Sequence, residues 1–403
     1  MQKLELLAPA GNLEKLKTAL RFGADAVYVG GKNFSLRSFS DNFSEEELRE
    51  GIAYAHARGK KVYVTVNIYA RAQDFPAVEN YLALLAQMGA DAALVSDPGV
   101  FRAARRAAPG LPLHISTQAN TTNPSAAAFW HELGASRVVL ARELSLEEIA
   151  AIGAHVPGLE LEAFVHGAMC ISYSGRCLLS DYLAGRPSNR GECVQACRWR
   201  YRVSAVREDA EGAPLPLEED GRGTYIFNSK DLNMLPFLDK LAAAGVCSFK
   251  IEGRMKSAYY LATVVSAYRR VLDGALSVAE GMRELEKVNH RAFTAAYAFG
   301  DAHDTVNYSD SQKGGTHLYI ADVLEGGTRP LVQMRGRFRV GDELEVLSPG
   351  EAFNKTFRVR ELAAESGERV EDAKLVMQKL RLSCPFPLSA GDILRRRIGG
   401  QPG

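Results

Sequence analysis

The sequence predicts an α/β protein: a closed (β/α)8 barrel of the TIM type carrying a cysteine-containing insertion after its seventh strand, followed by a small β-barrel. Three observations lead there. Eight short runs rich in Val, Ile and Leu alternate with helical patterns over the first 275 residues. The alternation is interrupted once, after the seventh run. From about Gly315 the helical period gives way to short alternating strands separated by turn residues.

The strand candidates are LELLA (4–8), AVYVG (26–30), KVYVTVN (61–67), AALVS (92–96), PLHIS (112–116), RVVLA (137–141), LEAFVH (161–166) and CSFKIE (247–252). Most are continuous and apolar, as parallel strands covered on both faces should be. Helical stretches follow nearly every one, and Asn12, Ser44 and Ser145 sit where N-caps belong. Glu47 and Glu148 follow the two serines by three residues, completing capping boxes. A strict eightfold alternation favours closure over an open doubly wound sheet.

Between His166 and the helical pattern near Asp231 lie more than sixty residues, far beyond an ordinary βα loop. An insertion after a barrel strand emerges at the C-terminal face, where barrel enzymes place their chemistry. Within it, PLPLEEDGRGT (214–224) reads as a solvated hairpin loop. The predicted organisation is a barrel domain over 1–280 with the insertion at 167–227, a connector over 281–312 and a β-barrel over 313–403.

Bulk properties narrow the function. A chain of 403 residues exceeds the roughly 250 to 300 that one core supports, so a second domain is expected. A formal charge of +1 excludes a strongly basic protein, and any nucleic-acid contact must use local patches. Residues 313–403 carry 15 Lys+Arg against 12 Asp+Glu, which permits RNA binding without indicating it. No run approaches the roughly 18 apolar residues of a membrane span, and MQKLELLAPAG lacks a signal-like apolar stretch. The expectation is a soluble cytoplasmic protein with no membrane partner.

Six cysteines are too few for a disulfide scaffold, and four of them, Cys170, Cys177, Cys193 and Cys197, fall on the insertion. Thiolates ligate soft and borderline metals. The spacing lacks the tight CxxC knuckle of zinc ribbons, and it is not the CxxxCxxC of S-adenosylmethionine radical enzymes. It leaves an iron–sulfur cluster, a zinc site and structural or redox-active thiols open. Residues 186–207 around these cysteines hold six arginines and one glutamate. Arg190, Arg198 and Arg200 with Trp199 have the composition of a surface that meets phosphates and stacks on bases. A solvated β-hairpin would carry the same composition.

Polar residues gather where the predicted strands end: Asn67, Gln118 and Asn120, Arg142 and Glu143, Asn228, Lys230 and Asp231. Of these, Asn67, Gln118, Arg142, Asn228 and Lys230, with Arg254, are candidates for holding a small substrate. Glu162 and His166 lie four apart on one strand and so on one face, which makes them acid–base candidates; a hydrogen-bonded structural histidine reads equally well. Lys250, Glu252 and Arg254 alternate along a buried-type strand and its exit, where unpaired charge is costly. Lys250 and Glu252 are further catalytic candidates; with Arg254 they either pair with one another or receive an anionic substrate, and a carboxylate suits them. HExxH, GxSxG and GxxxxGK[ST] are all missing, so no proteolytic machinery is visible.

The segments ELLAPAGNLEKLKTALRFGADAVYVGG, EAFVHGAMCISYSGRCLLSDYLAGRPSNRGECVQACRWRY, NSKDLNML and FKIEGRMKSAYYLATVVSAYR resemble the collagenase-like peptidase family, U32. The length, the cysteine pattern and the trailing β-barrel look most like its prephenate-dependent tRNA uridine hydroxylases. The resemblance implies conversion of a wobble uridine to 5-hydroxyuridine, with tRNA as partner and prephenate, a small carboxylate, as co-substrate. It further implies a 4Fe–4S cluster on Cys170, Cys177, Cys193 and Cys197, Cys197 being the ligand on which relatives differ, with zinc as the alternative. Lys250, Arg254 and Arg142 would hold the co-substrate, and the arginine-rich insertion and β-barrel the RNA. The alternatives are a ribosomal RNA cytidine hydroxylase, a collagenase-like peptidase and a non-enzymatic RNA-binding factor; a paralogue could share the work. Where the family shows an RGFTxG-like run, this chain reads HRAFTAAYAFG (290–300).

Overall fold

A computed structural model describes residues 4–32, 34–35, 42–199, 201, 204–205, 215–216, 228–300, 305 and 314–399. Eight strands form the barrel: β1 (Glu5–Pro9), β2 (Ala26–Gly30), β3 (Lys61–Val66), β4 (Ala92–Val95), β5 (Leu113–Ile115), β6 (Arg137–Val139), β7 (Glu160–Ala168) and β8 (Val246–Ile251). Each pairs in parallel with the next, and β8 pairs with both β1 and β7, which closes the sheet. These are the eight runs read from the sequence, with boundaries moved by one or two residues.

Helices α1 (Leu13–Arg21), α2 (Glu45–His56), α3 (Phe75–Met88), α4 (Pro98–Ala107), α5 (Pro124–Glu132) and α6 (Leu146–His155) follow the first six strands in turn. Ser44 and Ser145 close the expected capping boxes, each accepting from the amide three residues on. After β7 the chain enters the insertion, which carries the short α7 (Leu179–Ala184). It returns through Asp231–Asn233, antiparallel to the end of β7, and then forms α8 (Leu238–Ala243) and β8. Within the insertion Ser204–Ala205 pairs with Leu215–Pro216, and residues 214 and 217–224 of the predicted loop lie outside the described residues.

The barrel lumen shows the two-residue period of its strands. Leu7, Ala26, Tyr28, Tyr63, Ala92, Leu94 and Val139, with Phe164 against them, form an apolar layer inside it.

The chain divides into two compact units, and the division does not follow chain order. One holds the barrel strands and the insertion. The other takes in α1, α9 (Ala258–Leu272), α10 (Val278–Leu285) and the C-terminal strands. Those strands are β9 (His317–Glu325), β10 (Leu331–Met334), β11 (Phe338–Arg339), β12 (Glu343–Leu347), β13 (Thr356–Arg358), β14 (Leu362–Ala364), β15 (Asp372–Ala373), β16 (Lys379–Leu382) and β17 (Ile393–Arg397). Seven form an antiparallel sheet in the order β13-β12-β17-β9-β10-β16-β14, and β11 pairs with β15. Ile320, Val332, Phe338, Leu344, Val346 and Leu394 are among the residues of the core this half-barrel encloses. The run AKLVMQKLRL (373–382) is shared between β15 and β16. Met377 turns to a φ of 60°, a left-handed conformation that interrupts a strand, and Val376 is left 88% exposed.

No helix of the described residues is long and apolar enough to cross a membrane.

Candidate active site

A cavity of about 180 Å³ lies at the C-terminal ends of the barrel strands. The barrel contributes Tyr28, Thr65, Asn67, Ser116, Gln118 and Lys250 to its lining, and Arg142, Glu252 and Arg254 come from the loops that follow strands. The insertion contributes Cys170, Cys177, Cys193 and Cys197 together with Ser174 and Ser180. Two groups of residues distant in the chain, singled out for different reasons, thus share one wall.

Below the cavity sits a buried charge network. Glu162 on β7, fully buried, accepts from Lys250 Nζ at 2.6 Å and from Arg137 Nη1 at 3.1 Å. Arg137 also pairs with Glu5 at 2.5 Å and with Glu160 at 2.7 Å, and the Tyr63 hydroxyl donates to Glu5 at 2.7 Å. Burial alone would raise the Glu162 carboxyl, but the cations Lys250 and Arg137 together outweigh it and hold it down at about 2. His114 is pushed down to about 3 by burial and by Arg137, so its ring is neutral there. Lys250 lines the cavity from above this network, its charge already balanced, with Nζ 4.5 Å from the centre of the Tyr28 ring. Glu162 therefore acts through Lys250 and does not itself reach the cavity.

The upper wall is a set of oriented dipoles. Asn67 Nδ2 donates to Ser116 Oγ and to Gln118 Oε1, each at 3.2 Å. The Tyr28 hydroxyl lies 3.0 Å from both Glu252 Oε2 and the Ile251 carbonyl, which hands the cavity a carboxylate fixed by a phenol. Arg254 donates to Ser35 Oγ at 2.7 Å and to Asn42 Oδ1 at 2.6 Å. Gly30 makes room for it, since a Cβ there would stand 2.4 Å from Arg254 Nη2.

The insertion is fastened to the barrel at several points. Arg142 donates to the Ala168 carbonyl at 2.9 Å and to Ser174 Oγ at 2.7 Å. Asn120 Nδ2 reaches the Ser174 carbonyl at 3.3 Å. Gly175, at a φ of 76°, lies so close to Gln118 that a Cβ would meet its side chain at 3.1 Å. Arg190 donates to the Tyr69 carbonyl at 2.7 Å and pairs with Asp74 at 3.0 Å. That hydrogen bond, followed by the Arg71 amide, holds the Asp74 carboxyl below its ordinary value. Arg190, expected to meet RNA, is thus committed to the barrel as an anchor. Arg190→Ala is expected to speed amide exchange across 177–197 several-fold while shifting the thermal midpoint by only a few degrees, checked by hydrogen-exchange mass spectrometry.

The four thiols are electrostatic neighbours. Burial pushes the Cys197 thiol up against the pull of Arg198, and Cys170, Cys193 and Cys177 push it further. The Gln195 amide donates to Cys193 Sγ at 3.4 Å, from a turn in which Gln195 holds a φ of 59°. Among the described residues, no three His, Cys, Asp or Glu side chains converge as the ligand shell of a single ion.

His166 does not join the site. The register of β7 against β8 advances two residues for one between Phe164↔Lys250 and His166↔Ile251. The extra residue carries His166 out of the lumen phase shared by Glu162 and Phe164. Its ring packs 5.7 Å from that of Phe293. Asn228, fully buried, and Lys230, whose amide donates to the Thr305 carbonyl at 2.7 Å, belong to the return segment and line no part of the cavity. Arg198 bonds the Gln195 side chain, Trp199 is 43% exposed, and Arg200 lies outside the described residues. Tyr28, Thr65, Ser116 and Ser174 escaped the sequence reading. The signal available for Tyr28 and Thr65 was a hydroxyl at alternating positions of an otherwise apolar strand.

Residues 11–308 match peptidase family U32, and residues 316–395 match the peptidase family U32 C-terminal domain. The chain is 39% identical over 406 residues to tRNA hydroxylation protein P1 of Bacillus subtilis, spanning 98% of this chain and 95% of that one. It is 38% identical over 408 residues to tRNA hydroxylation protein P of Escherichia coli, covering 90% of each. A 23S rRNA 5-hydroxycytidine synthase of Escherichia coli is 36% identical over 274 residues, 68% of this chain and 40% of that protein. With a closed barrel, its cysteine insertion and the C-terminal half-barrel all accounted for, the chain belongs to peptidase family U32.

Proposed function

We propose that this chain is a tRNA hydroxylase that converts a uridine to 5-hydroxyuridine, using a small carboxylate such as prephenate as co-substrate and an iron–sulfur cluster held by its four clustered thiols. The observation that carries this reading is the shared cavity. Cys170, Cys177, Cys193 and Cys197 line the same space as Arg142, Lys250, Glu252 and Arg254. The relatives named for tRNA hydroxylation that align over nearly the whole chain support it, and their coverage favours tRNA over ribosomal RNA.

Four thiols lining one cavity match the donor set of a cubane iron–sulfur cluster, with zinc as the alternative. When bound, such a cluster supplies one-electron chemistry beside the substrate. The chain's own residues bind and orient. Arg142 offers a guanidinium whose hydrogen bonds go to a carbonyl and a hydroxyl and which stands 5.1 Å from the centre of the Phe164 ring, a donor suited to a carboxylate. Glu252, steadied by Tyr28, is the carboxylate placed to hold a proton at the cavity. Arg142→Ala is expected to raise the KM for the carboxylate co-substrate at least tenfold with a smaller change in kcat, read from steady-state kinetics at saturating tRNA.

Hydrolysis gains nothing from this geometry. Among the described residues no histidine lines the cavity, so the Cys–His and Ser–His pairings of nucleophilic hydrolysis are not formed there. The deciding experiment is nucleoside mass spectrometry of tRNA from cells lacking this protein and any paralogue. Loss of 5-hydroxyuridine, restored by the wild-type chain, is the expected result; an unchanged level would dismiss the hydroxylase reading.

A further inference from the structure

The C-terminal unit carries a charge imbalance that its own salt bridges do not resolve. Arg337 and Arg339, on and beside β11, and Arg396 and Arg397, at the end of β17, line a concave opening of about 560 Å³ together with Asp342 and Asp372. Four guanidiniums face two carboxylates, an excess of two positive charges. Both carboxylates are already engaged. Asp372 accepts from Arg337, with Nε at 3.1 Å, and Asp342 pairs with Arg396 and accepts from the Arg339 amide at 2.9 Å. Among the described residues Arg339 and Arg397 form no ion pair.

Three other arginines of the same unit are paired. Arg335 has Asp322 at 2.6 Å, Arg381 has Glu325 at 2.6 Å, and Arg395 has Glu284 at 2.8 Å. The strand pairing explains the concentration. β11 and β15 set Arg339 opposite Asp372, and the three arginines that end β17 run from Arg395, buried, through Arg396, half-buried, to Arg397, exposed. Arg337 is 72% exposed, so the opening is a wet surface and not an enclosed pocket. A lone phosphate held only by exposed guanidiniums competes poorly with salt. A polyanion presenting successive phosphates gains from every counterion it releases.

We infer that this opening is an RNA-backbone site, in which Arg339 and Arg397 each take a phosphodiester of the tRNA while Arg337 and Arg396 are held in place by their aspartates. The inference rests on the RNA reading above and adds a second grip on the substrate, contributed by the C-terminal unit and separate from the cysteine cavity. It carries no base specificity, since phosphate contacts position a nucleic acid and do not read it.

The test uses the full-length protein with Arg339→Gln and Arg397→Gln combined, a change that keeps length and polarity and removes both charges. Binding of unmodified tRNA transcript is measured by fluorescence anisotropy across a salt series. The variant is expected to bind roughly tenfold more weakly near 100 mM salt, and its plot of log K against log salt should flatten by about 1 to 2. Iron content and melting should match wild type. Equal affinity and equal slope for the two proteins would overturn the inference, as would displacement of the tRNA by millimolar inorganic phosphate in wild type alone, which marks a small-anion site. The two readings separate cleanly. Hydroxylation by wild type with no binding defect in the variant removes only this site; a binding defect without any protein-dependent 5-hydroxyuridine removes only the hydroxylase.

Discussion

Cys193→Ser is expected to strip most of the iron from anaerobically purified protein and to lower tRNA hydroxylation at least a hundredfold, while the barrel remains folded. Cys193 is the exposed member of the four thiols, so the substitution removes the proposed ligand without opening a hole in the core. Its sulfur accepts the Gln195 amide at 3.4 Å, an interaction a hydroxyl can replace, and no barrel strand depends on it. The measurements are iron per chain, about four in wild type for a cubane, visible absorbance and the thermal midpoint. Iron and absorbance equal to wild type would show that Cys193 is not a ligand. Loss of the folded barrel together with the iron would make the thiols scaffolding.

The barrel was legible because its determinants are local. Strands buried on both faces must be continuously apolar, and helix caps need particular residues at fixed offsets; Ser44 and Ser145 are found with both halves of their boxes formed. The cysteines were legible as a group because clustering survives folding. What failed depended on contacts remote in sequence. The lumen phase of His166 followed from counting by twos along β7, and one extra residue in the register with β8 reversed it. Arg190 looked like a phosphate ligand because composition does not reveal that Asp74 waits more than a hundred residues away. Arg137 stood in plain view as a charged residue opening a buried strand, yet its three carboxylate partners come from β1 and β7. A residue's strand can be read from its neighbours; its partner across a barrel cannot.

That network supplies the second large effect. Glu162→Gln leaves Lys250 and Arg137 buried with one fewer counter-charge, and removing one partner of a buried ion pair costs about 3–5 kcal/mol. The thermal midpoint is expected to fall by on the order of 10 °C. Lys250→Met should cost less, because Arg137 still faces Glu162 at 3.1 Å. The pair Glu162→Leu with Lys250→Leu should recover part of the loss, a coupling that a double-mutant cycle isolates. The pH dependence has a definite sign. The folded-state carboxyl of Glu162 sits at about 2 against an ordinary 4.5, so its contribution is complete above about pH 5 and disappears as pH falls from about 4.5 towards 2. In wild type this steepens the acid limb of the stability curve, and in Glu162→Gln that limb should flatten. A Glu162→Gln protein that melts within a degree of wild type, or keeps the same acid limb, would show that the charges beneath the cavity are held by the barrel and not the reverse. Lys250 would then need another explanation for its place in the cavity wall.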